Sequence, residues 1–382
     1  MATIAAVMRA PLAMAYWLGV GARRTGENGD DIIFLYHGTP RCVANQLERQ
    51  LRYLQRLFRL VPLAAIAGSL GGCRPAGRGR QAAIVFDDGL RSNVVVAYPI
   101  LRALGIPATF FVCPGLIEER VWVWTHEARR RLQFAGPHLR GELATELTAP
   151  ADVEAFVQWM KHLDLPTRKC VEAKVRERTA SFVPTGLDRE AFELADWHEL
   201  RSLDPSIVTV GSHSMTHPIL PRMSALEIET ELRDSRRMLE AKLDRPADLF
   251  SYPNGDVDWR TNAAVRRHYR AAVSHQSGMP LDPHLLPSVH LPRGVLRLAW
   301  KLNRQAAAAA EGSRHRVADS RSSIRDDRSY TVDDLTDWLD DVPHDRNVPY
   351  DVVHPLASNL NDPTHSADHR LDNPRDRLKH TV

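Results

Sequence analysis

Short apolar segments alternate with segments of helical periodicity along most of this chain, and the alternation limits the folds that it can adopt. Seven segments carry the pattern of buried strands: residues 31–38, 82–86, 107–112, 207–210, 248–252, 271–274 and an apolar run at 285–298. Four segments between them have apolar residues at helical spacing: residues 44–61, 93–104, 224–243 and 258–268. Repeated strand–helix–strand units favour parallel pairing with right-handed crossovers. The pattern therefore predicts an α/β fold, a (β/α) barrel of six or seven parallel strands, in preference to an open sheet.

Two regions depart from this alternation and set the predicted domain boundaries. Residues 124–204 are charged and helical in periodicity, which predicts a helical insertion within the α/β scaffold. Residues 306–382 are dense in Asp, Arg, His, Ser and Pro, and such a segment buries too little apolar surface to offset its chain entropy. We therefore predict an N-terminal segment at 1–30, a barrel with its insertion at 31–305, and a disordered tail at 306–382.

Charge, cysteine content and hydropathy exclude several classes of function. The net charge of +3 comes without a dense basic stripe, so nucleic acid is not an expected partner. The four cysteines are far apart and form no C-x-x-C pair, which indicates reduced thiols and favours the cytoplasm over export. Residues 10–22 are apolar but too short to span a bilayer, and no other stretch predicts a transmembrane span. For 10–22 we predict a helix packed on the domain, with an export signal or membrane-surface association as the alternatives.

Two pairs of side chains with metal-binding chemistry each follow a predicted buried strand. Asp87 and Asp88 follow the strand at 82–86, and His213 and His217 follow a later one. Two imidazoles and one carboxylate make a three-ligand site for a divalent metal and leave a position open for water. The second carboxylate then remains free to accept a proton, as metal-assisted hydrolysis requires. The aspartates alone would also suit a turn or a helix cap, and the histidines alone could be cap and packing residues, whereas the two pairs together favour a metal site.

Three motifs in this order resemble the polysaccharide deacetylase (NodB-homology, carbohydrate esterase family 4-like) family. They are Phe-Asp-Asp-Gly at 86–89, His-x-x-x-His at 213–217 and Phe-Ser-Tyr-Pro-Asn-Gly at 250–255. Leu-Pro-Arg at 291–293 also resembles that family, so the resemblance covers roughly residues 30–300. It implies a distorted (β/α) barrel whose site lies at the carboxyl ends of the strands, as is general for such barrels.

The resemblance also implies a role for each motif residue. A divalent metal, with Zn²⁺ expected, would be held by Asp88, His213 and His217. Asp87 would be the base that deprotonates metal-bound water for attack on an acetamide carbonyl. A backbone N–H near residues 253–254 would stabilise the oxyanion. The residues predicted to contact the substrate are Tyr252, Pro253, Asn254 and His37, with a structural role equally open for the last.

The chain departs from the family pattern at two catalytic positions. The familiar third motif begins with an arginine where this chain has Ser251, a change shared by a divergent branch with Phe-Ala-Tyr-Pro motifs. Arg293 is predicted to supply the guanidinium from a later strand, either beside Asp87 or against a backbone carbonyl. The family's general acid is a histidine in a late Leu-x-His motif, which has no clean copy here. His290 is the predicted acid, and His275 is the alternative.

The predicted function is the metal-dependent removal of N-acetyl groups from a carbohydrate, which would be a polysaccharide, an oligosaccharide or a lipid-linked sugar. Trp122 and Trp124 would either stack on sugar rings or belong to the core. Because a fold does not fix its substrate, a metal-dependent O-acetyl esterase and a non-sugar amidase remain alternatives. A carbohydrate-binding homologue without turnover is a further alternative. The presence of Asp87 argues against it, since a metal site used for binding alone needs no spare carboxylate.

Overall fold

Parallel strands close into a barrel in the computed structural model, which describes residues 31–69, 80–275 and 282–291. The strands are β1 (Ile32–Tyr36), β2 (Arg59–Leu60), β3 (Gln81–Phe86), β4 (Ala108–Val112), β5 (Val208–Ser212), β6 (Leu249–Ser251), β7 (Ala271–Ser274) and β8 (Leu286–His290). Closure results from β1, which pairs in parallel with both β3 and β8. The other strands follow in the order β3–β4–β5–β6–β7–β8, again in parallel, while β2 pairs only with the start of β3. All strands except β2 thus form the ring, which confirms the predicted barrel of six or seven parallel strands.

Helices connect the strands and cover the barrel. They are α1 (Ala44–Leu57), α2 (Leu63–Ser69), α3 (Tyr98–Leu104), α4 (Pro114–Glu119), α5 (Trp124–Phe134), α6 (Gly136–Leu147), α7 (Val153–Lys161), α8 (Leu165–Arg178), α9 (Gly186–Phe192), α10 (Trp197–Arg201), α11 (Ala225–Leu243) and α12 (Trp259–His268). The helix predicted at 44–61 ends earlier, because Arg59–Leu60 pairs with β3. The one predicted at 93–104 begins with a π-helical turn, Asn93–Ala97, since Pro99 lacks the amide hydrogen that a continuous α-helix would use there.

The predicted insertion at 124–204 is helical, as expected, and comprises α5 to α10. Its helices enclose a hydrophobic cluster of their own, which includes Trp124, Leu132, Phe156, Val157 and Met160. An ion pair between Arg129 of α5 and Glu154 of α7, at 2.6 Å, joins two of these helices. The insertion is therefore a packed layer of the protein rather than a loop.

Side chains along each strand alternate between the barrel interior and the surrounding helices. One buried cluster contains Leu35, Val85, Phe111, Leu249, Val273 and Leu286, together with residues of α2, and it fills the interior. The neighbouring positions, among them Phe34, Ile84, Phe110 and Val210, pack against α1, α3 and α11 instead. At the carboxyl end of the barrel, which we call the rim, the last inward-facing position of each of six strands, or the next one after it, carries a polar side chain. These are His37, Asp87, His213, Ser251, His275 and His290.

Several predictions fall on residues outside the described ranges. They concern Arg293, the N-terminal segment 1–30 and the tail 306–382. The chain divides into two units, Met1–Val332 and Asp333–Val382, and every described residue belongs to the first. Within the described ranges, no helix combines the length and the apolarity needed to cross a bilayer. The cytoplasmic location stays a prediction.

Candidate active site

Asp88 enters the site through a left-handed backbone conformation. Its φ is +72°, and Gly89 follows with a φ of +69°. For a residue other than glycine this region costs about 1–2 kcal/mol, so the surrounding contacts must hold Asp88 in place. A Cβ added to Gly89 would lie only 2.9 Å from the Cβ of Val112, which explains the glycine after the two aspartates. Strand alternation would place the Asp88 side chain on the outside of the barrel. The turn directs it inward instead, towards His213.

The loop that carries both histidines is held by side chains that bind its backbone. Ser214 and His217 have φ values of +64° and +56°, and the Ser214 hydroxyl accepts a hydrogen bond from the His217 N–H. The carboxylate of Glu231, on α11, accepts hydrogen bonds from the N–H groups of Met215 and Thr216 and from the Thr216 hydroxyl. These bonds fold the loop so that two imidazoles four residues apart meet with ring centroids 4.8 Å apart.

The three predicted metal ligands lie together. Ligand atoms of Asp88, His213 and His217 are all within 4.8 Å of one another, and all three residues are buried. Asp88 Oδ1 lies 3.3 Å from His217 Nε2 and 3.6 Å from His213 Nε2. His213 Nδ1 lies 2.8 Å from the Ser251 carbonyl oxygen, which only accepts hydrogen bonds, so Nε2 keeps its lone pair for the site. Burial, and then the charge of His217, lowers the pKa of His213 to about 3, which keeps this imidazole neutral. The donor set fits a borderline-soft divalent metal and leaves coordination positions open.

The two adjacent carboxylates have opposite pKa shifts. Burial raises the pKa of Asp87 well above its ordinary value, and the charge of Asp88 adds to this, while a hydrogen bond from Ser251 opposes it. Burial also opposes ionisation of Asp88, but hydrogen bonds from His126 and His217 outweigh it and hold its pKa well below the ordinary value. Asp88 is therefore the ionised carboxylate of the pair, and Asp87 is the one with affinity for a proton.

Asp87 is buried, and one of its carboxylate oxygens has no partner among the described residues. Its Oδ2 accepts a hydrogen bond from Ser251 Oγ at 3.0 Å and lies 3.9 Å from His213 Nε2. Its Oδ1 has no hydrogen-bond partner among the described residues. The resemblance led us to expect an arginine at position 251, and the hydroxyl of Ser251 contacts the carboxylate from that position.

No sequence pattern predicted His126, which contacts the site from the insertion. Its Nε2 lies 3.1 Å from Asp88 Oδ2, and both side chains are buried. His126 belongs to the first turn of α5, and its ring stacks on Phe192 with centroids 4.9 Å apart. A single histidine in a charged helical segment has no spacing relation to the motifs, so its role becomes visible only in three dimensions.

Three more histidines lie side by side at the ends of β1, β8 and β7. The rings of His37 and His290 stack, with centroids 5.2 Å apart and an interplanar angle of 7°. His275 meets His290 edge-on at 4.6 Å. Burial, followed by the positive charges of His37 and Lys161, lowers the pKa of His275 to about 4, so this ring is neutral near pH 7. His290 and His275, the two candidates for the general acid, thus lie next to each other at the rim.

The third motif forms a short 3-10 turn, Pro253–Gly255, at the end of β6. Within it Asn254 is exposed and has a φ of +59°. The Nζ of Lys161, on α7, donates a hydrogen bond to Asn254 Oδ1 at 2.6 Å and so joins the insertion to this turn. A Cβ added to Gly255 would lie 2.3 Å from the His275 ring, which shows how closely that ring packs on the turn.

The aromatic candidates for sugar contact differ in their accessibility. Tyr252 is fully buried between the barrel and its helices, in a cluster with Phe250, so its ring is not brought to the site. Trp124 is a core residue: its Nε1 donates a hydrogen bond to the His217 carbonyl at 2.8 Å. Trp122 is half-buried and packs on Phe192 at 5.6 Å.

Comparisons with known proteins give one family and several distant structural similarities. The family model for polysaccharide deacetylases matches residues 75–272. Streptococcus pyogenes deacetylase PplD in complex with acetate is 15% identical, with a TM-score of 0.46 over 71% of this chain and 97% of that chain. IcaB from Ammonifex degensii is 16% identical, with a TM-score of 0.47 over 72% and 98% of the two chains. The BpsB deacetylase domain from Bordetella bronchiseptica is 15% identical, with a TM-score of 0.42 over 68% and 95%. A search of curated proteins found no match.

Proposed function

This chain belongs to the polysaccharide deacetylase family, whose members hydrolyse carbon–nitrogen bonds, and on that premise we propose that it removes N-acetyl groups from a carbohydrate. The observation that carries the proposal is the division between two neighbouring carboxylates. Asp88 faces two imidazoles, whereas Asp87 has an oxygen without a partner among the described residues. For amide hydrolysis at a metal centre, one carboxylate is needed as a metal ligand and a second as the proton acceptor.

The proposal places a divalent metal, with Zn²⁺ expected, among Asp88, His213 and His217. Their convergence and the lone pair left on His213 Nε2 support this assignment. When bound, such a metal acidifies water and polarises a carbonyl group. The neutral state of His213 and the ionised state of Asp88 are those that ligands require.

Asp87 is the proposed general base. Its raised pKa makes the ionised carboxylate a stronger base than an ordinary aspartate, which suits proton transfer near neutral pH. The hydrogen bond from Ser251 orients the carboxylate through Oδ2 and leaves Oδ1 to accept the proton of the attacking water. The water oxygen adds to the acetamide carbon, the carbon–nitrogen bond breaks, and acetate and an amine are released.

The remaining proposed roles rest on the rim positions of the described residues and, for Arg293, on the sequence alone. His290 is the proposed donor of a proton to the departing amine, since it ends β8 and stacks on His37. Arg293 follows it in the sequence and is proposed to steady Asp87. The proposed substrate contacts are Pro253, Asn254 and His37. The activity is assigned to residues 31–305, flanked by the segments 1–30 and 306–382.

Metal analysis and an acetate-release assay test this function together. The full chain, loaded with Zn²⁺, is incubated with N-acetylglucosamine oligomers, peptidoglycan and O-acetylxylan beside the Asp87→Asn variant. We expect one bound metal per chain, acetate from an N-acetylated glycan, and a loss of about 10²–10⁴-fold in the rate for Asp87→Asn.

The esterase and the carbohydrate-binding homologue predict different results in this assay combined with a glycan-binding measurement. Release from O-acetylxylan alone would indicate an esterase. Binding to a glycan without acetate from any substrate would indicate a carbohydrate-binding homologue. Equal rates for the wild type and Asp87→Asn would exclude Asp87 as the base.

A further inference from the structure

We propose that His126, a residue of the helical insertion, is a positioning residue that makes Asp88 bind the metal through a single oxygen, Oδ1. The inference rests on the metal site of the proposed function and adds a residue that neither the motifs nor the family relationship identify. It makes the insertion a part of the metal centre.

The two oxygens of Asp88 face different partners. Oδ1 lies 3.3 Å from His217 Nε2 and 3.6 Å from His213 Nε2, which is the side on which the three ligands converge. Oδ2 lies 3.1 Å from His126 Nε2. The carboxylate and the His126 ring are both buried, so water does not compete freely for this contact.

Hydrogen-bond chemistry assigns His126 to the carboxylate rather than to the metal. A carboxylate that ligates a metal is ionised and only accepts hydrogen bonds. The hydrogen in this contact must therefore be on Nε2 of His126, and a protonated ring nitrogen has no lone pair for coordination. Asp88 Oδ2 is engaged by this donor, so Oδ1 remains as the ligand atom. Such outer partners hold a ligand in its binding orientation.

Packing contacts within the insertion hold the His126 ring against the site. The His126 ring stacks on Phe192 of α9, with centroids 4.9 Å apart and an interplanar angle of 27°. In the same helical turn, Trp124 donates its indole N–H to the His217 carbonyl at 2.8 Å. One turn of α5 thus contacts the segments that carry two of the three ligands, Asp88 and His217. A displacement of this turn would move both.

The proposal predicts how metal affinity responds to three substitutions. His126→Ala removes the hydrogen bond, and His126→Phe removes it while keeping a ring against Phe192. Loss of an outer-sphere hydrogen bond typically weakens metal binding about 10–100-fold, and we expect that loss in both variants. His126→Gln retains an N–H donor and is expected to restore most of the affinity.

Chelator competition with Zn²⁺ and the visible spectrum of the Co²⁺-loaded full chain provide the measurements, neither of which depends on turnover. His138→Ala is the matched control, because His138 is an exposed histidine of the same insertion, with its side chain 91% accessible. We expect altered Co²⁺ absorption for His126→Ala and His126→Phe and the wild-type spectrum for His138→Ala. Circular dichroism of the metal-free variants verifies their folding. If His126→Ala fails to fold, His126→Phe and His126→Gln still compare a side chain without an N–H donor with one that has it.

Several results would overturn the proposal. Wild-type affinity and spectrum in His126→Phe would show that the hydrogen bond does not matter. Three imidazole ligands in X-ray absorption of the Zn²⁺-loaded wild type would make His126 a ligand instead. A wild type that binds no divalent metal would overturn this inference together with the metal site. A chain that binds metal with the expected His126 dependence but releases no acetate would overturn only the proposed function.

Discussion

Ser251 Oγ donates a hydrogen bond to Asp87 Oδ2 at 3.0 Å, although the two residues are 164 positions apart in the sequence. Ser251 ends β6, Asp87 follows β3, and both continue the inward-facing positions of their strands. The bond stabilises the ionised form of Asp87, and it opposes the burial that raises the pKa of this carboxylate. A neutral hydroxyl thus contributes to tuning the proposed base.

Replacing Ser251 with alanine tests this tuning. Because the hydrogen bond lowers the pKa of Asp87, its loss raises that pKa further, and the acid limb of the kcat/KM profile moves to higher pH. On the acid limb we expect kcat/KM to fall about 10-fold, which corresponds to one hydrogen bond to a charged group. Ser274→Ala is the matched control, since Ser274 is also a buried serine that ends a strand but its Oγ has no partner among the described residues. An acid limb that stays in place in Ser251→Ala would contradict the prediction.

The raised pKa of Asp87 also predicts a dependence of stability on pH. In the unfolded chain this carboxyl titrates near its ordinary value of 3.8, whereas in the folded chain it titrates at a higher pH. Its contribution to stability is therefore complete below pH 3.8 and is lost as the pH rises through the folded value. Asparagine does not titrate, so the stability of metal-free Asp87→Asn increases relative to that of the metal-free wild type as the pH rises above 3.8. Urea unfolding of both proteins measures the difference in their free energies of unfolding. If the advantage of Asp87→Asn became smaller as the pH rises, the prediction of a raised Asp87 pKa would be wrong.

Zn²⁺ is expected to stabilise the folded chain through the three-ligand site. A ligand that binds only the folded state at 100 times its Kd adds about 2.7 kcal/mol. We expect a rise in Tm on addition of Zn²⁺ to the wild type, reversed by a chelator, and a much smaller rise for His217→Ala. His198→Ala, which alters an exposed histidine, should behave as the wild type. An equal rise in Tm for His217→Ala would place the bound metal elsewhere.

The proposed role of His290 as proton donor predicts that activity depends on the leaving group. An amine must be protonated to depart, whereas the leaving group of an activated ester need not be. We therefore expect His290→Ala to lose about 10²-fold or more on an acetamide and to keep most of its activity on 4-nitrophenyl acetate. His275→Ala is the comparison, because the low pKa of His275, about 4, makes it a neutral ring near pH 7. The opposite ranking of the two variants would assign the acid to His275.

The strand pattern of the sequence was sufficient for the architecture and for part of the site. Buried apolar runs marked every ring strand, and the period of two along a strand directs Asp87 and His213 into the barrel. Two residue pairs with metal-binding chemistry, each after such a strand, predicted that one aspartate would meet His213 and His217, and the family resemblance chose Asp88 over Asp87. These features are local, since hydrophobic period and residue type are properties of a few consecutive positions.

Tertiary structure alone decided the contacts that adjust the site. His126 reaches Asp88 only because the insertion folds back over the barrel, and Ser251 reaches Asp87 only because β6 and β3 end at the same rim. The Tyr252 ring follows the outward alternation of β6 and is buried away from the site, although its motif suggested a substrate contact. Hydrogen bonds and pKa shifts of this kind depend on distances between segments far apart in the chain, and no periodicity within one segment records those distances.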